Sequence, residues 1–214
     1  MIALLLAVVL AATTPVGTLA KASPSKARAT STAAAARDTV TLGGGCFWCT
    51  EAVFDELAGV ESVMSGYSGG SVARPSYEVV STGMTGHAEV AQIVFDPRVI
   101  SLHDLLEVFF TVHDPTTLNR QGNDIGTQYR SVIFWRNERQ RAVATDVMRD
   151  VAARKVWDDR LVTQLERFRA FYPAEDYHQQ YFARHGGEPY CQFIIAPKVA
   201  KFRAHWLSKL KMKS

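Results

Sequence analysis

The fold of this chain is constrained most by three consecutive glycines that separate a strand pattern from a helix pattern. Residues 39–42 alternate threonine with an apolar residue, which predicts a short, half-buried strand. Gly43, Gly44 and Gly45 follow directly, and residues 46–57 then carry apolar side chains at helical spacing. Because glycine permits backbone angles and close approaches that other residues do not, we predict a tight strand-to-helix connection that places Cys46 at the start of the helix.

The rest of the chain continues this mixture of strands and helices. Alternating or apolar runs predict strands at residues 60–67, 87–95, 129–135 and 161–165. Helical spacing predicts helices from Ser101 to a point before Pro115, and at residues 138–154, 174–182 and 199–210, with a polar loop at residues 113–128. The mixture indicates an α+β fold, a two-layer sandwich in which helices pack against one mixed sheet.

Residues 1–22 have the pattern of an export signal. Residues 2–12 form an apolar run of eleven residues, shorter than the roughly 20 that a membrane-spanning helix needs, and residues 20–22 have the A-x-A form of a signal-peptidase site. Residues 23–37 hold almost nothing large to bury, which predicts a disordered linker before a catalytic domain at residues 38–214. We therefore expect a periplasmic or secreted protein. The alternative, a short N-terminal core helix, would keep it in the cytoplasm.

The distribution of charge argues against binding to nucleic acid. The formal net charge is +3, but residues 1–37 hold four basic residues and no acidic one, and the remainder carries 20 basic and 21 acidic residues. A nearly neutral body lacks the basic surface that such binding requires. We expect a monomer without stable insertion into a membrane. The three cysteines are too few for a disulfide scaffold and indicate at least one reactive thiol.

Cys46 is the candidate nucleophile. Backbone N–H groups and the helix dipole favour an anion at a helix start, so we expect a stabilised thiolate there; the alternative is a buried, inert cysteine. Cys49 completes a C-x-x-C pair. Three chemistries stay open on these residues: a thioredoxin-like disulfide exchanger, a cysteine hydrolase that needs a histidine base, and a peroxidase or reductase that forms a sulfenic acid. A zinc site is disfavoured because only Cys191 remains to join the pair.

Longer motifs narrow this choice. They are GGCFWCTEAVF at residues 44–54, GYSGG at 66–70, PSY at 75–77, TGHAEV at 85–90, HDPTT at 113–117, RQGNDIGTQYRS at 120–131 and AEDYHQ at 174–179. In this order they resemble the A-type peptide methionine sulfoxide reductases over about residues 40–202. The resemblance implies a ferredoxin-like sandwich that reduces methionine S-sulfoxide, free and in proteins, with no metal and no organic cofactor. The alternatives are a general disulfide oxidoreductase and a non-enzymatic redox sensor.

The resemblance also implies roles for individual residues. Cys46 would attack the sulfoxide sulfur, and Glu89 would donate a proton to the departing oxygen. Such an acid needs a raised pKa, which burial can supply. Tyr77 and Tyr129 match phenols that hydrogen-bond the oxygen, and Asp124 matches a carboxylate that orients this polar group. Phe47 and Trp48 would form an apolar cage for the S-methyl group, or else simply pack in the core.

Regeneration would require a second thiol. The resemblance implies that a sulfenic acid on Cys46 condenses with this thiol and that a thioredoxin-type donor reduces the disulfide. Cys191 matches the family's first resolving position and is favoured over Cys49, because a disulfide within one helical turn demands tighter geometry. Many relatives have glycine in place of Cys49. The basic residues from Lys198 to Lys213 are interpreted as the solvated face of the last helix.

Overall fold

The structure, a computed structural model, describes residues 37–212. The predicted signal peptide and all of the predicted linker except Arg37 lie outside the described residues. In the described part, no helix is both long enough and apolar enough to cross a bilayer.

Within residues 37–212, six strands form one curled sheet, and most of them lie where the sequence predicts strands. They are β1 (Asp38–Gly44), β2 (Val60–Ser68), β3 (Ala88–Phe95), β6 (Ser131–Trp135), β7 (Gln164–Arg167) and β8 (Phe171–Pro173), with a separate two-residue hairpin of β4 (Arg120–Gln121) and β5 (Asp124–Ile125). The order across the sheet is β7-β6-β1-β3-β2-β8. Only β6 and β7 run parallel, and the other neighbours are antiparallel. The predicted mixed sheet is confirmed.

In the described part of the chain, six helices accompany the sheet. They are α1 (Phe47–Phe54), α2 (Tyr77–Ser81), α3 (Leu102–Val112), α4 (Glu138–Arg154), α5 (Tyr181–His185) and α6 (Ala196–His205), with a π-helical turn at Cys191–Ile195 directly before α6. The start of α3 is set as predicted by Ser101, whose hydroxyl accepts a hydrogen bond from the Asp104 N–H at 3.0 Å. Asn137 caps α4 in the same way, through the N–H of Gln140 at 2.9 Å.

The apolar residues of the sheet divide between two faces of unequal size. The helix-bearing face holds the main core, in which Leu42, Ile93 and Ile133 from the central strands meet side chains of α1, α3, α4 and α6. The opposite face holds a small cluster of Ala88, Val90, Val132 and Phe134, with Phe168 and Phe171 against it. Because nearly all the helices pack on one side, the fold is the two-layer α+β sandwich that the sequence predicts.

The helix predicted at residues 174–182 is wrong. Pro173 ends β8 opposite Gly66, and a short 3-10 turn at Asp176–His178 separates it from α5. Side chains in this segment bond to distant strands instead of standing on a helix face. Gln179 accepts a hydrogen bond from the Ser65 N–H at 3.0 Å and donates one to the Ser65 carbonyl at 3.0 Å. These bonds dock the segment along β2 as an irregular strap.

Smaller differences concern short elements. The polar loop predicted at residues 113–128 contains the β4–β5 hairpin, the strand predicted at residues 161–165 begins only at Gln164, and the five-residue helix α2 has no counterpart among the predictions. Elements of two to five residues carry too little periodicity to be recognised from spacing.

Candidate active site

The backbone at Gly45 determines where Cys46 lies. Gly45 has a φ of +94°, and a Cβ atom there would lie 2.5 Å from Cγ of Gln121. Gln121 is itself held by the backbone of Asp114, through bonds of 3.1 and 3.0 Å. The glycine requirement therefore has two causes, a left-handed backbone and a close neighbour. Cys46 follows as the N-cap residue of α1.

Cys46 opens into a small cavity of about 200 Å³. The cavity is lined by Cys46, Phe47, Trp48, Tyr77, Glu89, Asp124, Tyr129 and Tyr190. The structure thus brings together all five predicted catalytic residues and both predicted substrate-binding aromatics, although they come from four separate stretches of sequence. Cys49 and Cys191 are buried but do not line the cavity.

Glu89 is a buried carboxyl group beside Cys46, the candidate nucleophile. It lies on β3, is 2% exposed, and accepts a hydrogen bond from the Phe47 N–H at 3.1 Å. Burial raises the pKa of Glu89 to about 8, although the Phe47 N–H bond acts in the opposite direction. A carboxyl group with this pKa is largely protonated near neutral pH, so it can donate a proton.

The expectation of a stabilised thiolate at Cys46 is wrong. Burial raises the pKa of the Cys46 thiol, and the neighbouring Cys49 and Glu89 raise it further. The N–H group of Phe47, which a thiolate at the helix start would use, is bonded to Glu89 instead. Helix geometry alone therefore does not decide the charge of a thiol that is nearly excluded from water.

The polar wall of the cavity consists of neutral phenols and one carboxylate. Burial raises the pKa values of Tyr77 and Tyr129, so both hydroxyl groups stay protonated and available as donors. Tyr190 donates a hydrogen bond to Oδ2 of Asp124 at 2.8 Å. It also shares a hydrogen bond with Cys46, which lowers the pKa of that thiol. This arrangement can bind a polar oxygen in an otherwise apolar space.

The aromatic wall is packed from outside the cavity. Trp48 stacks on Tyr181 with ring centroids 3.7 Å apart and planes inclined by 7°. The buried ring of His178 lies 5.1 Å from the Phe47 centroid and 4.5 Å from the Tyr77 centroid. The irregular strap that carries His178 therefore fixes the orientation of the cavity's aromatic residues.

The other two thiols lie in different elements, Cys49 in α1 and Cys191 in the turn before α6. The Cys46 thiol hydrogen-bonds to Cys49, and this bond together with the nearby Lys198 lowers the pKa of Cys49. Nζ of Lys198 lies 3.7 Å from Cys49 Sγ, so its interpretation as part of the solvated helix face is wrong. Cys191 sits in the π-helical turn before α6 and interacts with Cys49. No disulfide links the three cysteines, which are all free.

Sequence reasoning missed three residues around the site: Tyr190, Tyr181 and Lys198. Tyr190 directly precedes Cys191 in the sequence, and its hydroxyl contacts both Cys46 and Asp124. An aromatic residue beside a candidate resolving cysteine was the available signal. Nothing in the spacing indicated that Tyr181 stacks on Trp48.

Two larger surface clefts, of about 610 and 520 Å³, share Trp157 and contain neither a cysteine nor any residue of the Cys46 cavity. Within residues 37–212, no group of three His, Cys, Asp or Glu side chains is arranged to hold a metal ion.

Comparison with known proteins agrees with this geometry. The family model described as peptide methionine sulfoxide reductase matches residues 38–210. The chain belongs to this family. It is 55% identical over 171 residues to the peptide methionine sulfoxide reductase MsrA of Polynucleobacter asymbioticus, covering 80% of this chain and 90% of that protein. It is 54% identical to the MsrA of Saccharolobus solfataricus, covering 82% and 98%.

Solved structures of peptide methionine sulfoxide reductases have the same fold. The reduced form of Mxr1 from Saccharomyces cerevisiae superposes with a TM-score of 0.66 at 34% identity, covering 72% of this chain and 89% of that one. Methionine sulfoxide reductase A of Corynebacterium diphtheriae gives a TM-score of 0.61 at 34% identity, covering 70% and 75%. As a member of the family, the chain is an enzyme that reduces methionine sulfoxide.

The raised pKa of Glu89 predicts a specific dependence of stability on pH. The carboxyl group titrates near 4.5 when exposed and near 8 when folded, so between these values the folded state binds more protons than the unfolded state. The stability that Glu89 contributes is thus complete below about pH 4.5 and is lost as the pH rises towards 8. Relative to Glu89→Gln, the wild-type free energy of unfolding should fall by about 1.4 kcal/mol per pH unit. Urea denaturation of both proteins at several pH values measures this, and a constant difference would contradict the buried neutral carboxyl.

Proposed function

We propose that this protein repairs oxidised proteins by reducing methionine S-sulfoxide, bound or free, through a sulfenic acid on Cys46. The observation that carries the proposal is the shared cavity in which the Cys46 thiol, the neutral Glu89 and the phenols of Tyr77 and Tyr129 meet. The substrate's S-methyl group would contact Phe47 and Trp48. The preference for the S epimer comes from the family resemblance.

The chemical step combines nucleophilic attack with proton transfer. The Cys46 sulfur bonds to the sulfoxide sulfur while Glu89 donates a proton to the sulfoxide oxygen, which makes it a better leaving group. The oxygen then leaves the substrate sulfur and adds to the Cys46 sulfur as the bond between the two sulfurs breaks: the substrate is reduced to the thioether and Cys46 is oxidised to the sulfenic acid. The thiol proton of Cys46 replaces the one that Glu89 gave, so the acid is restored. Tyr77 and Tyr129 stabilise the negative charge on the oxygen, and Asp124 orients the polar wall through Tyr190.

For the regeneration step we propose that Cys49 forms the first disulfide with Cys46. Cys49 shares a hydrogen bond with the Cys46 thiol and its pKa is lowered, whereas the pKa of the fully buried Cys191 thiol is raised by burial. A thiolate next to the electrophilic sulfur is the better nucleophile. The role that the family pattern assigns to Cys191 stays a prediction, and this contact geometry favours the alternative.

The electrons for turnover come from outside the protein. A disulfide made from Cys46 must be reduced by thiol exchange before the next cycle, and a protein with a pair of thiols suits this because its second thiol releases the mixed disulfide. We propose a thioredoxin-type donor as this reductant.

We also propose that the chain is exported. The support is the apolar run of residues 2–12 and the A-x-A site at residues 20–22, followed by a stretch with little to bury. The family match begins only at residue 38, so residues 1–37 lie outside the part of the chain that the family model covers.

Replacement of Cys46 should abolish the chemical step, and replacement of Glu89 should slow it strongly. Cys46→Ser should form no methionine, because a serine hydroxyl is a far weaker nucleophile towards sulfur than a thiol and cannot form a sulfenic acid. Glu89→Gln should slow methionine release by roughly 10² or more in single-turnover kinetics. Glu51→Gln is the matched control: Glu51 is a buried carboxyl on α1 whose pKa is also raised by burial, but it does not line the cavity. Unchanged release by Glu89→Gln, with a chirally resolved sulfoxide as substrate, would remove Glu89 from the acid role.

Assays with two different reductants can distinguish the two candidate resolving thiols, Cys49 and Cys191. Cys49→Ser should release methionine in the first turnover at a near-normal rate, and should turn over with dithiothreitol but poorly with a thioredoxin-type donor. Cys191→Ser should do little in either assay. Peptide mapping of the wild type after one equivalent of sulfoxide should find Cys46 linked to Cys49. A Cys46–Cys191 link, with Cys191→Ser as the variant that stalls, would assign the roles in reverse.

Export predicts the N-terminus of the mature protein. Cleavage after residue 22 would leave a chain that begins near Ser23. N-terminal sequencing of the protein isolated from its native cell measures this directly. Recovery of an intact Met1 in the cytosolic fraction would contradict export.

A further inference from the structure

The side chain of Lys198 reaches the sulfur of Cys49. Lys198 lies in the first turn of α6, is half-buried, and places Nζ 3.7 Å from Cys49 Sγ. Basic residues further along the chain pair with carboxylates: Arg203 with Glu56, Lys209 with Asp104 and Lys211 with Asp55. Within residues 37–212, Lys198 forms no such ion pair, so the thiol group is the polar partner of its ammonium.

We propose that Lys198 is a positioning residue for the second half of the reaction: its ammonium holds Cys49 as the thiolate that attacks Cys46 once methionine has left. This inference rests on the proposed role of Cys49. In the step, the Cys49 sulfur forms a bond to the Cys46 sulfur as the S–O bond of the sulfenic acid breaks. The oxygen takes a proton from Glu89, which faces the same cavity, and leaves as water. Cys49 is oxidised and Cys46 is reduced, so no external electron acceptor is needed.

The surroundings of Lys198 leave its positive charge available to Cys49. Lys198 lines a cavity of about 190 Å³ together with His113, Asp114 and Lys201. His113 is neutral, because burial lowers its pKa to about 4. Asp114 uses Oδ1 to accept hydrogen bonds from the N–H and hydroxyl of Thr116, at 2.8 and 2.6 Å.

The groups that face Cys49 shift its pKa in both directions. The hydrogen bond from Cys46 and the ammonium of Lys198 lower the pKa of Cys49, whereas burial and the carboxylate of Asp124 raise it. An opposite charge at this distance typically lowers a pKa by one to three units. Loss of the Lys198 charge would leave Cys49 with fewer groups to offset its burial.

The first experiment measures the effect of Lys198 on the Cys49 thiol in a protein that does not turn over. In a Cys46→Ser/Cys191→Ser background, Cys49 is the only thiol of the chain. Its rate of alkylation by iodoacetamide as a function of pH then reports its pKa. Lys198→Met should raise this pKa by about one unit or more, and Lys198→Arg should keep it near the parent value. Lys201→Met is the matched control, because it removes a lysine that lines the same cavity without contacting Cys49.

The second experiment follows the step itself in the otherwise native enzyme. After one equivalent of methionine sulfoxide, Lys198→Met should release methionine at the parent rate but form the disulfide about tenfold more slowly at neutral pH, with sulfenic acid trapped by dimedone in the interval. Lys198→Arg should restore disulfide formation, and Lys201→Met should match the parent. Near-ultraviolet circular dichroism verifies that each variant keeps its packing.

The possible outcomes distinguish the role of Lys198 from the proposed role of Cys49, on which it rests. An unchanged alkylation profile in Lys198→Met overturns the inference even where Cys49 forms the disulfide. A shifted profile with unchanged disulfide formation also overturns it, because the charge then has no effect on the step. A Cys46–Cys191 link in the peptide map overturns the proposed role of Cys49, and the role of Lys198 with it.

Discussion

The hydrogen bond from the Phe47 N–H to the Glu89 carboxyl group joins the two halves of the site, and much of the local structure depends on it. It links the first residue of α1 to the middle strand of the sheet, inside the core. An unpaired N–H at a helix start and an unpaired buried carboxyl group each cost free energy. The hydrogen bond between them removes both costs, because each group supplies the partner that the other lacks. Burial raises the pKa of Cys46, and Glu89 occupies a donor that could have stabilised its thiolate, so in the proposed reaction Cys46 and Glu89 both begin protonated.

The irregular strap at residues 174–182 holds the wall of the cavity in place. Apart from the three residues of β8 directly before it, this part of the chain is not in the sheet. Glu175 accepts hydrogen bonds from the Tyr67 hydroxyl at 3.0 Å and the Tyr77 N–H at 2.9 Å, and Gln179 bonds the backbone of Ser65. These contacts hold His178 and Tyr181 against the aromatic wall. A helix in this segment would leave both polar side chains without these partners, which explains why local helical spacing did not prevail.

Those parts of the fold that depend on local pattern could be predicted, and those that depend on distant partners could not. The alternation at residues 39–42, the glycines and the cap at Ser101 act over a few residues, so their strands and helices were found. The contact between Lys198 and Cys49 spans 149 positions in the sequence, and no periodicity encodes it. Within the site, Cys46 could be singled out from the residues before it, whereas the role of Glu89 followed only from the family resemblance.

Burial has opposite consequences for the two halves of the proposed cycle. In the first half it is useful, because it keeps Glu89 neutral and excludes water that would compete for the oxygen. In the second half it is an obstacle, because a thiol must lose its proton to attack the sulfenic acid. Cys49 lies outside the substrate cavity, where Lys198 can act on it from a second cavity without placing a positive charge beside Glu89. An ammonium inside the substrate cavity would favour the ionised carboxylate and remove the acid. Because Lys198 and Glu89 line different cavities, one small domain can keep an acid protonated and still lower the pKa of a nearby thiol.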